Sequence, residues 1–263
     1  MNPNLTLYTA LLFYGAGTLV ALLSLFAREK RMQHAGLALM VLGFLTHTVW
    51  IGTICTLTGH PPLTNLPETA SFIAWLVFLV ELVLFVIYRV HAASFFVYPL
   101  VLILLSVSAV VREPFAHSSK ILSGLFTAHL LLTTIGVAAL LIGLAFGLLA
   151  HLQDRSLKSK TRGRLWEWIP SLTVCKDVSY RALAIGFSVY TLGLVSGFLW
   201  SYRTTAGIVA MRTKEIGAIV AWMLFAIVLQ SYISGTYRTR RTMLVGAGAF
   251  VAIVVAMLGI HHV

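Results

Sequence analysis

Long apolar segments recur along the whole chain and are separated by short polar breaks. Eight of them are long enough to cross a hydrocarbon core of about 30 Å as α-helices. The breaks carry turn-forming or basic clusters, as at residues 28–31, 59–62 and 238–241. The pattern predicts an all-α fold, with one transmembrane domain over residues 1–263 and one long cytoplasmic loop at 153–180. The predicted spans are residues 5–27, 34–58, 68–88, 93–111, 121–152, 181–202, 215–237 and 242–262.

Composition excludes a soluble globular domain. The chain is 59% hydrophobic and 10% charged, whereas soluble domains carry about 25% charged residues. The net charge of +11 belongs to basic residues that lie between the predicted spans. We therefore expect membrane lipid, and no nucleic acid, to be the partner of these charges.

The number of basic residues differs strongly between successive loops, and this difference predicts which side of the membrane each loop faces. Fourteen of the 19 lysines and arginines fall on one side of the predicted bundle and five on the other. Because cytoplasmic loops are enriched in lysine and arginine, both termini are predicted to be extracytoplasmic. We expect a multi-pass protein of a bacterial cytoplasmic membrane. The first helix lacks a small-residue cleavage site, so we expect it to be retained and not removed as a signal peptide.

Cysteine and motif chemistry narrow the function classes. Cys55 and Cys175 fall at different predicted levels, so the sequence predicts neither a disulfide between them nor a thiolate metal site. Paired catalytic carboxylates, phosphate-binding loops and nucleophile elbows are not found, so hydrolase and nucleotide-driven functions are not favoured.

Nine histidines beside only eight acidic residues are the main chemical signal, because imidazole is well suited to binding iron, copper or zinc. Their positions along the chain divide these histidines into those near predicted loops and those within predicted spans. Five histidines fall in or beside predicted loops, where we expect solvated side chains. These are His34, His60, His91, His117 and His151.

His129 and His261 reach nearly the same height from two different helices. His129 lies 22 residues before His151, about 33 Å, and His261 lies 20 residues after Arg241, about 30 Å. Two imidazoles at one level of the outer face suit bis-histidine ligation of a haem. Structural histidines at the interface are the alternative. His262 competes with His261, because adjacent helical residues point about 100° apart.

His47 lies about 24 Å into the second predicted span, counted from Arg31. A buried histidine at that depth requires a partner. Two interpretations stay open, a hydrogen bond to a neighbouring helix and contact with a haem or quinone. Glu81 is the other ionisable side chain at depth, and we expect it to be protonated or paired.

Several motifs resemble the CcsA, CcmC and HemX family of haem-handling membrane proteins. The first is Thr46-His47-Thr48 followed by Thr58-Gly-His-Pro-Pro-Leu-Thr-Asn-Leu-Pro-Glu-Thr69, in which Asn65 and Glu68 suit the start of a helix. The others are residues 128–160, 169–172, 180–187, 191–197 and the terminal Leu-Gly-Ile-His261. Together they cover most of the chain from residue 46 onward.

The resemblance implies a haem held near the outer face by two histidines that flank a tryptophan-rich segment. It places His129 and His261 as axial ligands of the iron of a haem b, with His47 and His262 as further candidate haem contacts. It also implies haem-biosynthesis or cytochrome c assembly proteins as partners. HemX-type proteins are associated with control of the enzyme that begins tetrapyrrole synthesis.

The chain departs from the family at that tryptophan-rich segment. Residues 205–215 read Thr-Ala-Gly-Ile-Val-Ala-Met-Arg-Thr-Lys-Glu and contain no aromatic residue, so a surface that stacks on a haem edge is missing. Gln230 stands where related synthetases have an inner histidine, and an interhelical hydrogen bond is its expected role. The segment is therefore degenerate.

Three functions remain open on these residues. The first is a HemX-like protein that binds haem and acts in haem handling or in regulation of haem metabolism, which need not be an enzyme. The second is a component of a cytochrome c haem lyase that delivers haem to apocytochrome c. The third is a structural or haem b subunit of an electron-transfer complex.

Overall fold

A computed structural model describes residues 3–27, 29–88, 94–111, 124–159, 170–204, 213–234 and 239–258. Within these residues the chain forms eight α-helices and no strand. The prediction of an all-α polytopic membrane protein is confirmed. Six of the described helices are long and apolar enough to cross a membrane, while α4 and α8 hold shorter apolar stretches. The helices are α1 (Pro3–Ala27), α2 (Lys30–Thr58), α3 (Leu66–Tyr88), α4 (Ser94–Val110), α5 (Gly124–Ser159), α6 (Leu172–Thr204), α7 (Thr213–Ile233) and α8 (Thr239–Leu258).

The loop predicted over residues 153–180 is shorter in the structure. Helix α5 continues to Ser159 and α6 begins at Leu172. Ion pairs one helical turn apart accompany both extensions, Asp154 with Lys158 at 2.7 Å and Asp177 with Arg181 at 2.9 Å. Such pairs stabilise a solvated helix. Hydropathy indicates which residues lie in the hydrocarbon core of the membrane, but a helix can continue beyond that core. For this reason the ends of α5 and α6 were placed wrongly from the sequence.

The described helices group into two compact units. The first comprises residues 1–118 and 153–171, and the second comprises residues 119–152 and 172–263. Helices α1 to α4 thus belong to the first unit, and α6 to α8 with most of α5 belong to the second.

Small residues bring α1 and α2 of the first unit into close contact. A Cβ added to Gly17 would lie 3.0 Å from the carbonyl oxygen of Gly36, and one added to Gly43 would lie 2.9 Å from the ring of Tyr14. Such approach is the usual means of packing helices in lipid, where no hydrophobic force drives helices together. The aromatic core of the unit, Tyr14, Trp50 and Phe78, is almost fully buried.

The second unit packs α5 against α6 in the same way. A Cβ on Gly136 would lie 2.7 Å from the backbone nitrogen of Tyr190, and one on Gly193 would lie 2.8 Å from that of Thr133. Ser179 adds a contact further along the pair, because its hydroxyl donates to the carbonyl oxygen of Gly143 at 2.7 Å. These contacts fix the register of α5 on α6 between Thr133 and Gly143.

Candidate functional site

His129 lies in the second turn of α5, where it faces α6. Its Nδ1–H donates to the carbonyl oxygen of Gly193 at 2.7 Å. A carbonyl oxygen can only accept, so in the neutral imidazole the proton is on Nδ1 and the lone pair is on Nε2. The side chain is half-buried. The orientation and the tautomer of His129 are therefore both set by the backbone of α6.

Gly197 provides the space in which this imidazole lies. A Cβ added at Gly197 would be 2.5 Å from both Cε1 and Nδ1 of His129, far inside van der Waals contact. Phe126 and Trp200 flank the same region, with ring centroids 4.5 Å apart, and the Phe126 ring is 6.3 Å from that of His129. The imidazole of His129 therefore lies against the backbone of Gly197, with the aromatic rings of Phe126 and Trp200 nearby.

This arrangement fits a metal-ligating histidine. Histidine ligands almost always donate the other ring N–H to a carboxylate, a backbone carbonyl or water, which orients the ring and raises its basicity. Nδ1 of His129 makes such a bond and Nε2 carries the lone pair that would bind iron. Gly193 and Gly197 were not singled out individually by sequence reasoning, although their small-x-x-x-small spacing was a signal of close helix contact.

The predicted second ligand lies outside the described residues, as does its competitor. These are His261 and His262. In the part of the chain that is described, no three side chains among histidine, cysteine, aspartate and glutamate lie close enough to hold a metal ion together. Axial ligation of a haem needs only two.

His47 is fully buried between α1, α2 and α3. Its Nε2 shares a hydrogen bond with the Ser71 hydroxyl at 2.7 Å, and its Nδ1 lies 3.5 Å from the Tyr14 hydroxyl. The Tyr14 ring packs edge-on against the imidazole at 5.9 Å. Both ring nitrogens of His47 thus face hydroxyl groups of neighbouring helices. For His47 to bind iron, one of its ring nitrogens would have to give up its contact with a hydroxyl group.

The start of α3 forms a closed set of polar contacts. The Glu68 N–H donates to Oδ1 of Asn65 at 2.9 Å, and the Glu68 carboxylate accepts from the Thr64 N–H at 3.0 Å and the Thr64 hydroxyl at 2.7 Å. Asn65 therefore caps α3 and Glu68 lies in its first turn, as the sequence predicted. The set is a variant of the capping box, because the carboxylate bonds the N–H of Thr64 instead of that of Asn65. The nearby His60 is buried, with Nδ1–H donating to the Pro61 carbonyl at 2.9 Å. Its predicted solvation was wrong.

Gln230 does not make the expected interhelical bond among the described residues. Its side chain is exposed, and its backbone carbonyl oxygen accepts from the N–H and the hydroxyl of Ser234 at the end of α7. An exposed glutamine on a helix surface has no buried polar group to satisfy.

Comparison with known proteins points to one family. The model of the family described as "Cytochrome C assembly protein" matches residues 63–263. The chain is 23% identical to the cytochrome c biogenesis protein CcsA of Guillardia theta, over 98% of this chain and 90% of that protein. It is 26% identical to CcsA of Prochlorococcus marinus strain MIT 9301, over 89% and 83% respectively.

A HemX protein is about as similar to this chain as the CcsA proteins are. Protein HemX of Bacillus subtilis strain 168 is 25% identical, over 83% of this chain and 83% of its own length. The residues matched by the family model, 63–263, include Gly193 and Gly197 beside His129, the polar contacts at the start of α3, and the segment 205–215 that lacks tryptophan. On this evidence the chain belongs to the cytochrome C assembly protein family of membrane proteins.

Proposed function

We propose that this chain binds haem b and acts in haem handling or in control of haem metabolism, without being a complete cytochrome c synthetase. The observation that carries the proposal is His129, held by the Gly193 carbonyl and the Gly197 backbone with its lone pair on Nε2. Axial ligation by His129 and His261 follows from the family resemblance. Haem would supply the redox-active iron and the absorbance by which the site can be tested.

The residues of this chain would orient and shelter the group. Donation by Nδ1–H holds the His129 ring in one plane. The aromatic pair Phe126 and Trp200 offers apolar surface beside it, which suits the edge of a flat macrocycle. His47 stays a further candidate contact, and His262 an alternative to His261.

The sequence of residues 205–215 favours binding or regulation over delivery. Proteins of this family that deliver haem carry a tryptophan-rich segment there, and this chain has none. Delivery as a haem lyase component would therefore require a partner that supplies the aromatic surface. Haem-biosynthesis proteins or cytochrome c assembly proteins are the partners we propose. Cytochrome c biogenesis is the role printed for the CcsA relatives, and it keeps this second function open.

We propose a bacterial cytoplasmic membrane as the location, with both termini extracytoplasmic, from the uneven distribution of lysine and arginine. The relatives include chloroplast and cyanobacterial proteins. Fusion of a reporter that is active only in the cytoplasm to either terminus tests the orientation. An active fusion would contradict it.

The test of haem binding is spectroscopic. The full chain is expressed with adequate haem, purified in mild detergent and compared with His129→Ala and His261→Ala variants. We expect a Soret band whose position shifts on reduction, and loss or displacement of that band in each variant. His34→Ala is the control, because His34 is an exposed residue whose Nδ1 bonds the carbonyl of Lys30 within its own helix. A parent protein without a Soret band would exclude haem binding.

Delivery is tested separately in cells that lack the protein. Failure of c-type cytochromes to mature, with normal b-type cytochromes, would support delivery. Normal c-type cytochromes would leave the regulatory or structural role.

A further inference from the structure

The same kinds of side-chain contact join a pair of helices in each of the two units. In the first unit, the Trp75 indole N–H donates to the Thr48 hydroxyl at 2.8 Å; in the second, the Trp222 indole N–H donates to the Thr191 hydroxyl at 2.9 Å. A phenylalanine four residues before each threonine stacks on the tryptophan, with ring centroids 5.2 and 5.4 Å apart. Helices α2 and α3 thus correspond to α6 and α7.

A second pair of interhelical bonds has the same spacing. His47 bonds the Ser71 hydroxyl at 2.7 Å, and Tyr190, at the corresponding place on α6, donates to the carbonyl oxygen of Ala218 at 3.3 Å. In both units the bonded residue on the second helix comes four positions before the tryptophan. Two independent contacts therefore set one alignment, of α2 with α6 and of α3 with α7.

This alignment matches buried positions one by one. Ala74 and Ala221 are both fully buried, and the phenylalanines four residues later, Phe78 and Phe225, are also inside. The next buried position, one turn further along, is Glu81 in the first unit and Val228 in the second, and these side chains are 2% and 1% exposed. The second unit thus packs a valine at the position where the first unit places a carboxyl group. Helix packing of this kind does not by itself call for a carboxyl group at that position.

The surroundings of Glu81 leave part of the carboxyl group unused. The Ser94 hydroxyl donates to Oε1 at 3.1 Å. Oε2 is buried and has no hydrogen-bond partner among the residues that the structure describes. The buried Tyr98 lies beside Ser94. A buried polar atom without a partner costs free energy, so a ligand that bonds Oε2 would stabilise the site.

Among the described residues, no lysine, arginine or histidine forms an ion pair with Glu81. Glu81 lies seven residues before the end of α3, about 10 Å along the helix. An ionised carboxylate at such a site requires a positive partner, and neither described ion pair involves it. The other titratable groups on the described helices of this unit are Tyr8 and Tyr14 on α1, Lys30, Arg31, His34, His47 and Cys55 on α2, Glu68 and Tyr88 on α3, Tyr98 on α4, and Asp154, Arg155 and Lys158 at the end of α5.

We propose that Glu81, with Ser94 and Tyr98, forms a proton-binding site inside the first unit, at which the carboxyl group takes up a proton in the folded protein and exchanges it with water. The proton neutralises the buried group without a cationic side chain. Ser94 orients the carboxyl through Oε1, and Oε2 is the atom at which the proton is exchanged. This site is separate from the histidine site of α5 and does not depend on haem.

The test uses dicyclohexylcarbodiimide, an apolar reagent that modifies protonated carboxyl groups. The acid proton moves to one carbodiimide nitrogen while the carboxyl oxygen bonds the central carbon, and an acyl shift to nitrogen then gives a stable adduct from which no atom is lost. The full chain in detergent is treated over a range of pH, and its peptides are analysed by mass spectrometry. We expect an adduct on Glu81 that diminishes as the pH rises, because the reaction consumes the acid form.

Glu68 is the matched internal control in the same sample. It is also 2% exposed, but its carboxylate accepts bonds from Thr64 and Asn65. We expect no adduct on Glu68 in the folded protein and complete loss of the Glu81 adduct in Glu81→Gln. Equal modification of both glutamates, or an unmodified Glu81 at every pH, would overturn the proposal. Because the two glutamates are compared within the unaltered chain, a variant that fails to fold does not affect this result.

Discussion

Replacing Gly197 by alanine should damage the haem site through a single methyl group. The new Cβ would lie 2.5 Å from Cε1 and Nδ1 of His129, whereas carbon atoms in contact are about 3.5–4.0 Å apart. The imidazole would have to retreat by about 1 Å. Its 2.7 Å bond to the Gly193 carbonyl would then exceed the range of a hydrogen bond.

The expected effect on haem follows from the loss of that bond. Removing the partner that orients a metal-ligating histidine typically weakens binding about 10–100-fold. We expect haem affinity to fall by that factor, measured by titrating the purified apoprotein with haem and following the Soret band. Haem that remains bound should show a shifted reduced spectrum, because the iron would receive a tilted or replaced ligand.

Overpacking alone would cost about 1–3 kcal/mol of stability, so a structural control is needed. Gly52 in α2 has no atom within 4 Å of an added Cβ, and Gly52→Ala should leave haem affinity unchanged. Unfolding temperature and elution volume would show whether the Gly197 variant is folded. A folded Gly197→Ala protein with the parent's affinity and spectrum would refute the assignment of His129 as a ligand.

Three further predictions are measured by thermal unfolding in detergent. Ser71→Ala leaves a buried nitrogen of His47 without its partner, so we expect a loss of about 1–3 kcal/mol with the Soret band retained; a lost band would instead implicate His47 in haem binding. Glu68→Ala removes the acceptor of the Thr64 and Asn65 bonds at the start of α3 and should cost about 1–3 kcal/mol, so an unchanged unfolding temperature would contradict its structural role. Glu81→Val should stabilise the chain by about 1–3 kcal/mol, and Val228→Glu should destabilise it; a destabilised Glu81→Val would show that the carboxyl supports the fold.

The helices themselves were predictable because each apolar segment is long enough to identify without tertiary information. The ends of the helices were harder to predict. The first turns of α6 and the last turns of α5 lie outside the predicted spans and are accompanied by pairs such as Asp177 with Arg181. Hydropathy does not register a helix that continues into a polar region, so residues 153–159 and 172–180 were assigned to a loop.

The site was predictable only in part. Counting residues along α5 placed His129 near the outer end of its helix, but the carbonyl that fixes its ring belongs to α6. That contact depends on how α5 and α6 are aligned, which is set by glycines such as Gly136 and Gly193. Likewise Ser71 carries no signal that marks it as the partner of His47, because serine is common in membrane helices.

The repeated contact plan lets each unit serve as a reference for the other. The same threonine, tryptophan and phenylalanine side chains hold α2 to α3 and α6 to α7, so a residue that differs between matched positions is not needed for those contacts. The Gly193 and Gly197 backbone beside an imidazole belongs to the second unit, and the buried acid stands in the first unit where the second has Val228. Each of these features can therefore be altered in its own unit without disturbing the contacts that both units share.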